Sequence, residues 1–431
     1  MMLSKSIKLS FILLIALATV CLSACGDSDS DDNGTSDGDL EAADGDADSS
    51  EEATDGDEDS AASVPYDWCE SDTPPDAECF AQKRDPDSER IALAREIADT
   101  YILKNPAAEL EWIWENAVML TGFVELYRVT GDTKYRDYYR DFIDTHIDKG
   151  YTINTSDTCA PSAMAIPLYM KTGEEKYMEM IQRALTYLYE EAERTEHGGL
   201  SHLGPDGPIS PSLWIDSLFM FGNVLIHWGE YQDDEKALNE ITEQFRIFTE
   251  LLQTEEGFYI HAWGWMGQTD EDIFWARGNS WVVVAGADYL RMRLNRGEED
   301  AFMQNAYEKL SAAVISAQDL KSGLWWTLLN RPDEIYLETS GSALFAQGLA
   351  RGWRNGLLDD SVLPVIENAV EGVESMIVRD KDGLPVVTGI SAGTTASVYE
   401  HYATRKLADD LPHGIGGVLM MLTETSGLPG E

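Results

Sequence analysis

Two stretches 42 residues apart in this 431-residue chain carry the same pattern. Leu126-Tyr127-Arg128-Val129-Thr130-Gly131-Asp132-Thr133-Lys134-Tyr135 is answered by Leu168-Tyr169-Met170-Lys171-Thr172-Gly173-Glu174-Glu175-Lys176-Tyr177. Each reads as a helix ending at a C-cap glycine, then a tight turn with an acid opening the next helix. A period of that length built from two helices restricts the chain to helical hairpins, either stacked in an open solenoid or closed into a ring.

Apolar residues at spacings of three and four continue the pattern from Ser88 onward. Helices are expected over 88–104, 110–129, 132–148, 157–170, 173–194 and 211–229. Six more are expected over 234–252, 276–294, 298–317, 338–355, 360–377 and 412–426. Even-numbered members are poor in charge, as in Ala160–Tyr169, Val282–Ala287 and Ser342–Ala350; odd-numbered ones are amphipathic, as in Lys134–Asp148 and Asp234–Glu250. Inner helices alternating with outer ones, six of each, imply an all-α (α/α)6 barrel. An open solenoid would want more uniform repeats and capping ends. Connections entering the inner helices are long, over 195–210, 253–275, 318–337 and 378–411. These long connectors and the six inner N-termini should therefore gather at one mouth. Free N–H groups and helix dipoles favour anions there.

Residues 1–24 read as a lipoprotein signal peptide, with Lys5 and Lys8 ahead of an apolar run from Phe11 to Val20 that is short for a bilayer. The run ends in Leu22-Ser23-Ala24-Cys25, which resembles the bacterial lipobox and implies lipidation at Cys25. Acyl chains would then hold the protein in the cell envelope without a membrane-spanning helix. Gly26, in place of an aspartate, points to the outer membrane or cell surface over the inner membrane. Residues 25–87 form a linker. From Gly26 to Ser63 it has no aromatic, lysine or arginine, so it should be a disordered, self-repelling tether. The domain proper is expected over 88–431.

Residues 27–60 hold 16 of the 78 acids; with these and the two leader lysines set aside, 62 acids face 29 basic residues, a net of −33. Such a charge argues against nucleic acid as a partner. Cys69 and Cys79 can form a disulfide in an exported protein, and Cys159 sits in an apolar helical stretch. No Cys/His cluster has zinc spacing and no cofactor motif is found, so neither a metal nor a cofactor is expected.

The richest connector, Gly257 to Trp281, carries Trp263, Trp265, Trp275 and Trp281 with His261 and Arg277. Trp112, Trp114, Asp157, Trp214, Asp216, Glu338 and His413 should share its end of the ring. An acid in a first helical turn is more often a cap than a functional group. Asp216 differs, because Leu213-Trp214-Ile215-Asp216-Ser217-Leu218-Phe219-Met220 surrounds it with apolar side chains. Burial is expected to raise its pKa and let it hold a proton near neutral pH. Aromatic platforms, two carboxylates, a histidine and an arginine around one pocket are the equipment of a carbohydrate enzyme. No GxSxG elbow or phosphate-binding glycine loop is present.

From about Ser88 to its end the chain resembles glycoside hydrolase family 105, the unsaturated rhamnogalacturonyl hydrolases. Four stretches carry the resemblance: Trp214 to Met220, His261-Ala262-Trp263, Trp275-Ala276-Arg277-Gly278-Asn279-Ser280-Trp281, and Glu338 to Phe345. The related family 88 of unsaturated glucuronyl hydrolases typically reads Arg-Gly-Gln-Ala-Trp at the third stretch. Arg277-Gly278-Asn279 favours family 105, although Ser280 stands where that family more usually has glycine. The resemblance implies an (α/α)6 barrel acting on oligosaccharides that bear a 4,5-unsaturated uronic acid at the non-reducing end. By the match, Asp216 would be the catalytic acid and Asp157 the second carboxylate. His261, Arg277 and Trp281 would bind and orient the ring, Trp275 would line it, and His202, Trp214 and Met220 would complete the site. Two rivals are a hydrolase of unsaturated glucuronyl disaccharides from glycosaminoglycans and a glycan-binding lipoprotein without chemistry.

Overall fold

The computed structural model describes residues 84–204, 211–265 and 272–431. The signal peptide, Cys25, the acidic tether and the Cys69/Cys79 pair lie outside the described residues. Twelve helical segments alternate as expected. The first hairpin sets α1 (Glu89–Lys104) outside α2 (Trp114–Thr130). The second sets α3 (Thr133–Lys149) outside a composite inner segment of α4 (Ser156–Cys159), a 3-10 stretch Ala160–Met164, and α5 (Ala165–Thr172). In the third, α6 (Glu175–Thr186) lies outside α7 (Ser217–Met220) and α8 (Gly222–Gln232); in the fourth, α9 (Glu235–Leu252) lies outside α10 (Ala276–Asn295). Then α11 (Ala301–Ser316) precedes the inner α12 (Thr339–Arg354), and α13 (Leu363–Ser375) the inner α15 (Pro412–Thr425), with one turn, α14 (Tyr399–Ala403), between them.

The inner segments pack in sequence around a ring. α2 meets the Ala160–Met164 stretch, which meets α8; α7 and α8 meet α10, α10 meets α12, α12 meets α15, and α15 returns to α2. That last contact closes the ring, as an open solenoid would not. It depends on missing side chains. A Cβ on Gly416 would sit 2.3 Å from Val118 O, and one on Gly122 2.8 Å from Leu419 Cβ, so the α2 and α15 backbones touch.

The repeated turn follows its residues. Gly131 and Gly173 take φ of 66° and 67°, and their N–H groups each reach a carbonyl, Tyr127 O and Tyr169 O, at 2.7 Å. Thr130 and Thr172 each bond back to residue i−4 (2.7 and 2.8 Å) and accept the N–H of the acid two residues on, at 3.2 Å both times. The fourth and sixth expected helices are not continuous. Pro161 and Pro167 remove N–H donors from the fourth, and the sixth is divided at Phe221 and begins only at Ser217. Leu213–Trp214, expected inside that helix, is the strand β1. It pairs antiparallel with β2 (Ala262–Trp263). Three further pairs organise the other connectors: β3 (Trp325–Trp326) with β4 (Leu337–Glu338), β5 (Ile377–Arg379) with β6 (Pro385–Val387), and β7 (Ile390–Ser391) with β8 (Leu407–Ala408). Strands of two or three residues are too short to show alternation in a sequence.

The end of the ring away from the long connectors is plugged by charge. Arg351, in the last turn of α12, bonds Asp288 at 2.7 Å and Glu424 at 2.6 Å, and lies 3.3 Å from Glu125. Arg84 adds a contact to Glu424 at 2.8 Å. All are buried. Burial alone would raise the Glu125 carboxyl, but Arg128 and Arg351 overcome it and hold the group at about 2.

Candidate active site

Backbone ladders bring the expected residues to one end of the ring. Trp214 pairs with Ala262, and Ile215 N donates to His261 O at 3.1 Å, so Asp216 and His261 arrive side by side. His202 N donates to Ser212 O (2.9 Å) and Ser156 N to His202 O (3.0 Å), which ties the start of α4, and with it Asp157, to the same corner. Asn279 fastens α10 to it: its Oδ1 accepts Tyr259 N at 2.8 Å and its Nδ2 donates to Tyr259 O at 3.0 Å. Gly278 is required beside it, because a Cβ there would lie 2.7 Å from both Ile215 Cδ1 and Trp275 Cε3. Ser280, the departure from the family pattern, is accommodated by turning its hydroxyl to Arg277 O at 2.7 Å.

These elements wall a cavity of about 250 Å³ lined by Trp114, Asp157, His202, Trp214, Asp216 and Trp275, with Leu203 and the loop Gly393–Thr395 completing it. That volume is below the roughly 300 Å³ at which pockets for drug-sized ligands begin, and suits one sugar ring better than a chain. His202 stacks on Trp214 (centroids 4.7 Å apart, 9° between planes) and shares a hydrogen bond with Ser217 through Nδ1 at 3.0 Å. His202 Nε2 stands 3.7 Å from Asp157 Oδ2.

His261 is held on both sides. Its ring stacks on Trp275 at 4.4 Å, and its Nδ1 lies 2.8 Å from the hydroxyl of Tyr402, which also accepts Ser397 N at 3.2 Å. With the Tyr402 proton on Nδ1, His261 carries its own hydrogen on Nε2, facing Asp216 Oδ2 at 3.3 Å. That contact lacks hydrogen-bond alignment, so both atoms are buried without a completed bond. Asp216 lines the cavity, and its orphaned oxygen beside the orphaned His261 nitrogen marks a place for a ligand or water.

The two carboxyls are pushed apart. Burial raises Asp157, and the neighbouring Asp216 adds to the rise against His202. Burial also works to raise Asp216, but the contact with His261 and the electrostatic influence of His261 and His202 outweigh it and leave the group below its ordinary value. The expectation that burial would raise Asp216 is therefore overturned, because that reading left out the histidines folded against it. Burial lowers His261, consistent with a neutral imidazole offering Nε2–H to a carboxylate.

Four expected ligand contacts do not line the cavity: His261, buried beside Asp216, and Arg277, Trp281 and Met220. Arg277 is 0 % exposed: its guanidinium bonds Ser391 O at 3.1 Å, Ser391 Oγ at 2.5 Å, Ala392 O at 3.0 Å and Thr394 Oγ1 at 3.3 Å, and it stands 3.6 Å from Glu338. Trp281 is also 0 % exposed, packed in the core against Phe219 at 4.7 Å, and Met220 is buried in the same core. Glu338 caps α12, accepting Gly341 N at 2.6 Å, and accepts Ser391 N at 2.9 Å. Trp112 is scaffold, stacked on Phe142 at 5.7 Å, and His413 is buried against Trp114 at 4.9 Å. Tyr402 and Gly393–Thr395 were not singled out from the sequence. Ile390 to Ser397 is small and uncharged, and only its place in a long connector to an inner helix marked it.

The model of Glycosyl Hydrolase Family 88 matches residues 93–428. The chain is 25% identical over 257 residues to the unsaturated rhamnogalacturonyl hydrolase YesR of Bacillus subtilis, across 59% of this chain and 74% of that protein. It is 31% identical over 157 residues to the unsaturated 3S-rhamnoglycuronyl hydrolase of Formosa agariphila, across 34% of this chain and 41% of that one. Among solved structures, a possible family 105 member from Klebsiella pneumoniae superposes with a TM-score of 0.70 at 26% identity, covering 78% of this chain and 93% of that one. A family 105 glycoside hydrolase of C. acetobutylicum gives 0.70 at 25% identity, over 77% and 98% of the two chains.

Proposed function

Since the chain belongs to glycosyl hydrolase family 88 and is a glycoside hydrolase, we propose that it removes a 4,5-unsaturated galacturonosyl residue from the non-reducing end of rhamnogalacturonan oligosaccharides. The observation that carries this reading is the orphaned Oδ2 of Asp216, a residue lining a cavity sized for one ring, 3.3 Å from His261 Nε2. The likeness to the Bacillus unsaturated rhamnogalacturonyl hydrolase and the Formosa unsaturated 3S-rhamnoglycuronyl hydrolase supports the substrate class.

In this mechanism Asp216 gives its proton to C4 of the double bond and a cation develops at C5, shared with the ring oxygen. The resulting carboxylate takes a proton from water as the water oxygen bonds to C5. Asp216 ends as it began, protonated. The C5 hemiketal opens, C1 is left as a hemiacetal, and the next sugar departs. Asp216 sits low in the free site, so its protonation accompanies binding, when the negative uronate arrives beside it and raises it. Asp157, pushed up, holds its proton longer and hydrogen-bonds ring hydroxyls with His202. Trp214 and Trp275 supply the apolar faces.

The decisive assay follows the ultraviolet absorbance of the conjugated double bond with lyase-generated rhamnogalacturonan and chondroitin disaccharides. Loss with the first supports the proposal, and loss with the second alone moves the chain to glucuronyl substrates. Binding without any loss would make it a glycan receptor. Asp216→Asn should cut kcat by about 10²–10⁴-fold while the melting temperature is kept; a fully active variant would sink the mechanism. We also propose lipidation at Cys25, read out as acyl-chain labelling in cells that disappears in Cys25→Ser.

A further inference from the structure

A uronate brings a carboxylate into a cavity that already holds Asp157 and Asp216, in a domain rich in acids. None of the described residues lining the cavity is a lysine or arginine. Arg277, the expected partner for the carboxylate, is enclosed and spends both terminal nitrogens on the segment Ser391–Thr394. Something other than a guanidinium must receive the negative charge.

The same contacts point to the receiver. Arg277 Nη2 takes the carbonyl of Ala392 at 3.0 Å, and Arg405 Nη2 takes the carbonyl of Gly393. In a planar trans peptide the C=O and the following N–H point in opposite directions. Two arginines drawing the Ala392 and Gly393 carbonyls to themselves therefore turn the N–H groups of Gly393 and Thr394 the other way. Gly393, Thr394 and Thr395 are the loop residues that line the cavity. The N–H groups of Gly393 and Thr394 have no acceptor among the described residues, whereas Ala392 N, one step earlier, donates to Lys406 O at 2.9 Å. Successive unpaired N–H groups on one side of a loop make an anion-binding concavity. Both cations hold carbonyls of that same segment, Ala392 and Gly393.

We propose that the Gly393–Thr395 loop, oriented by Arg277 and Arg405, is the subsite that binds the carboxylate of the substrate's terminal sugar through backbone N–H groups. The proposal rests on the uronate reading above and adds the group that selects a charged ring over a neutral one. Arg277 and Arg405 are positioning residues. A small residue at 393 leaves the N–H groups open to the ligand, and a Cβ there would point instead to Trp114 Cζ2 at 3.6 Å.

The test compares an unsaturated galacturonosyl-rhamnose disaccharide with its uronate methyl ester, which keeps the absorbing double bond and loses the charge. The wild-type enzyme should prefer the acid by roughly 10- to 100-fold in kcat/KM, the scale of hydrogen bonds to a charged group. Arg405→Gln should bring the two substrates within about threefold, and Arg405→Lys should recover part of the preference. Equal use of acid and ester by the wild type would overturn the subsite, as would a preference unchanged in a folded Arg405→Gln. Should neither substrate turn over, the uronide-hydrolase reading fails by itself. Calorimetry with galacturonate against galactose then decides the subsite. Tighter binding of galacturonate that Arg405→Gln abolishes supports it, and equal binding of the two sugars overturns it.

Discussion

The candidate site is governed by which histidine nitrogen faces which carboxylate. Tyr402 sets that choice by occupying His261 Nδ1 at 2.8 Å while Ser397 N occupies the tyrosine oxygen. Tyr402→Phe leaves Nδ1 unpaired in an apolar cluster and frees the imidazole to carry its hydrogen there. Asp216 then loses the N–H that holds it low, so its pKa rises. A higher pKa keeps Asp216 protonated to higher pH, and the alkaline limb of kcat/KM should move upward. The turnover rate should fall roughly tenfold, the cost of one buried hydrogen bond to a working group. A pH–rate profile identical to wild type would show that the hydroxyl sets nothing. The sequence marked Asp216 through its apolar neighbours but could not reveal its charge state, because His261 is 45 positions away and His202 lies across another connector. The tryptophan bias misled in the opposite direction: Trp281 is as aromatic as Trp275, yet one packs in the core and the other lines the cavity.

At the level of elements, the closing contact between α2 and α15 depends on two glycines that no helical pattern would favour. Gly416→Ala places a methyl 2.3 Å from Val118 O, where backbone must move, and should destabilise the fold by about 1–3 kcal/mol in urea unfolding. Its neighbour is the control. A Cβ at Gly417 meets nothing nearer than 3.4 Å, so Gly417→Ala should be neutral or stabilising by up to about 1 kcal/mol. Equal losses for both would show that α15 as a whole, and not that crossing, resists side chains. The twelve helices and their alternation were legible because amphipathic periodicity persists over 17 and 18 residues in outer helices such as α3 and α9, while an inner one such as α15 is largely apolar. The breaks at Pro161 and Phe221 and the four short strand pairs were not, since a two-residue strand is defined by its partner.

For the whole molecule, the ring has two different ends: an uncharged loop and paired carboxyls at the mouth, and a buried ion cluster opposite. Arg351→Met would strand Asp288, Glu424 and Glu125 without their shared cation, a loss of about 3–5 kcal/mol on the scale of broken buried pairs. The pH dependence has a definite sign. Glu125 is held at about 2 against an ordinary 4.5, so its contribution is complete above about pH 4.5 and disappears as pH falls toward 2. Wild-type stability, measured by thermal unfolding, should decline through that window, and the variant should decline less. A variant as stable as wild type would mean that the remaining arginines Arg84 and Arg354 suffice.

The sequence by itself determined the hairpin period, the inner and outer helices, the end of the ring that carries the site, and the group of residues around Asp216 and His261. The first three follow from local signals, namely periodicity, caps and connector lengths repeated along the chain, and the last from the four stretches that carry the family resemblance. Tertiary structure alone decided which of those residues line the cavity. Arg277 is enclosed and braces Ser391–Thr394, Trp281 and Met220 are buried in the core, and the plain segment Gly393–Thr395 lines the cavity. Exposure and protonation are properties of neighbours distant in sequence, and a helical pattern carries no record of them.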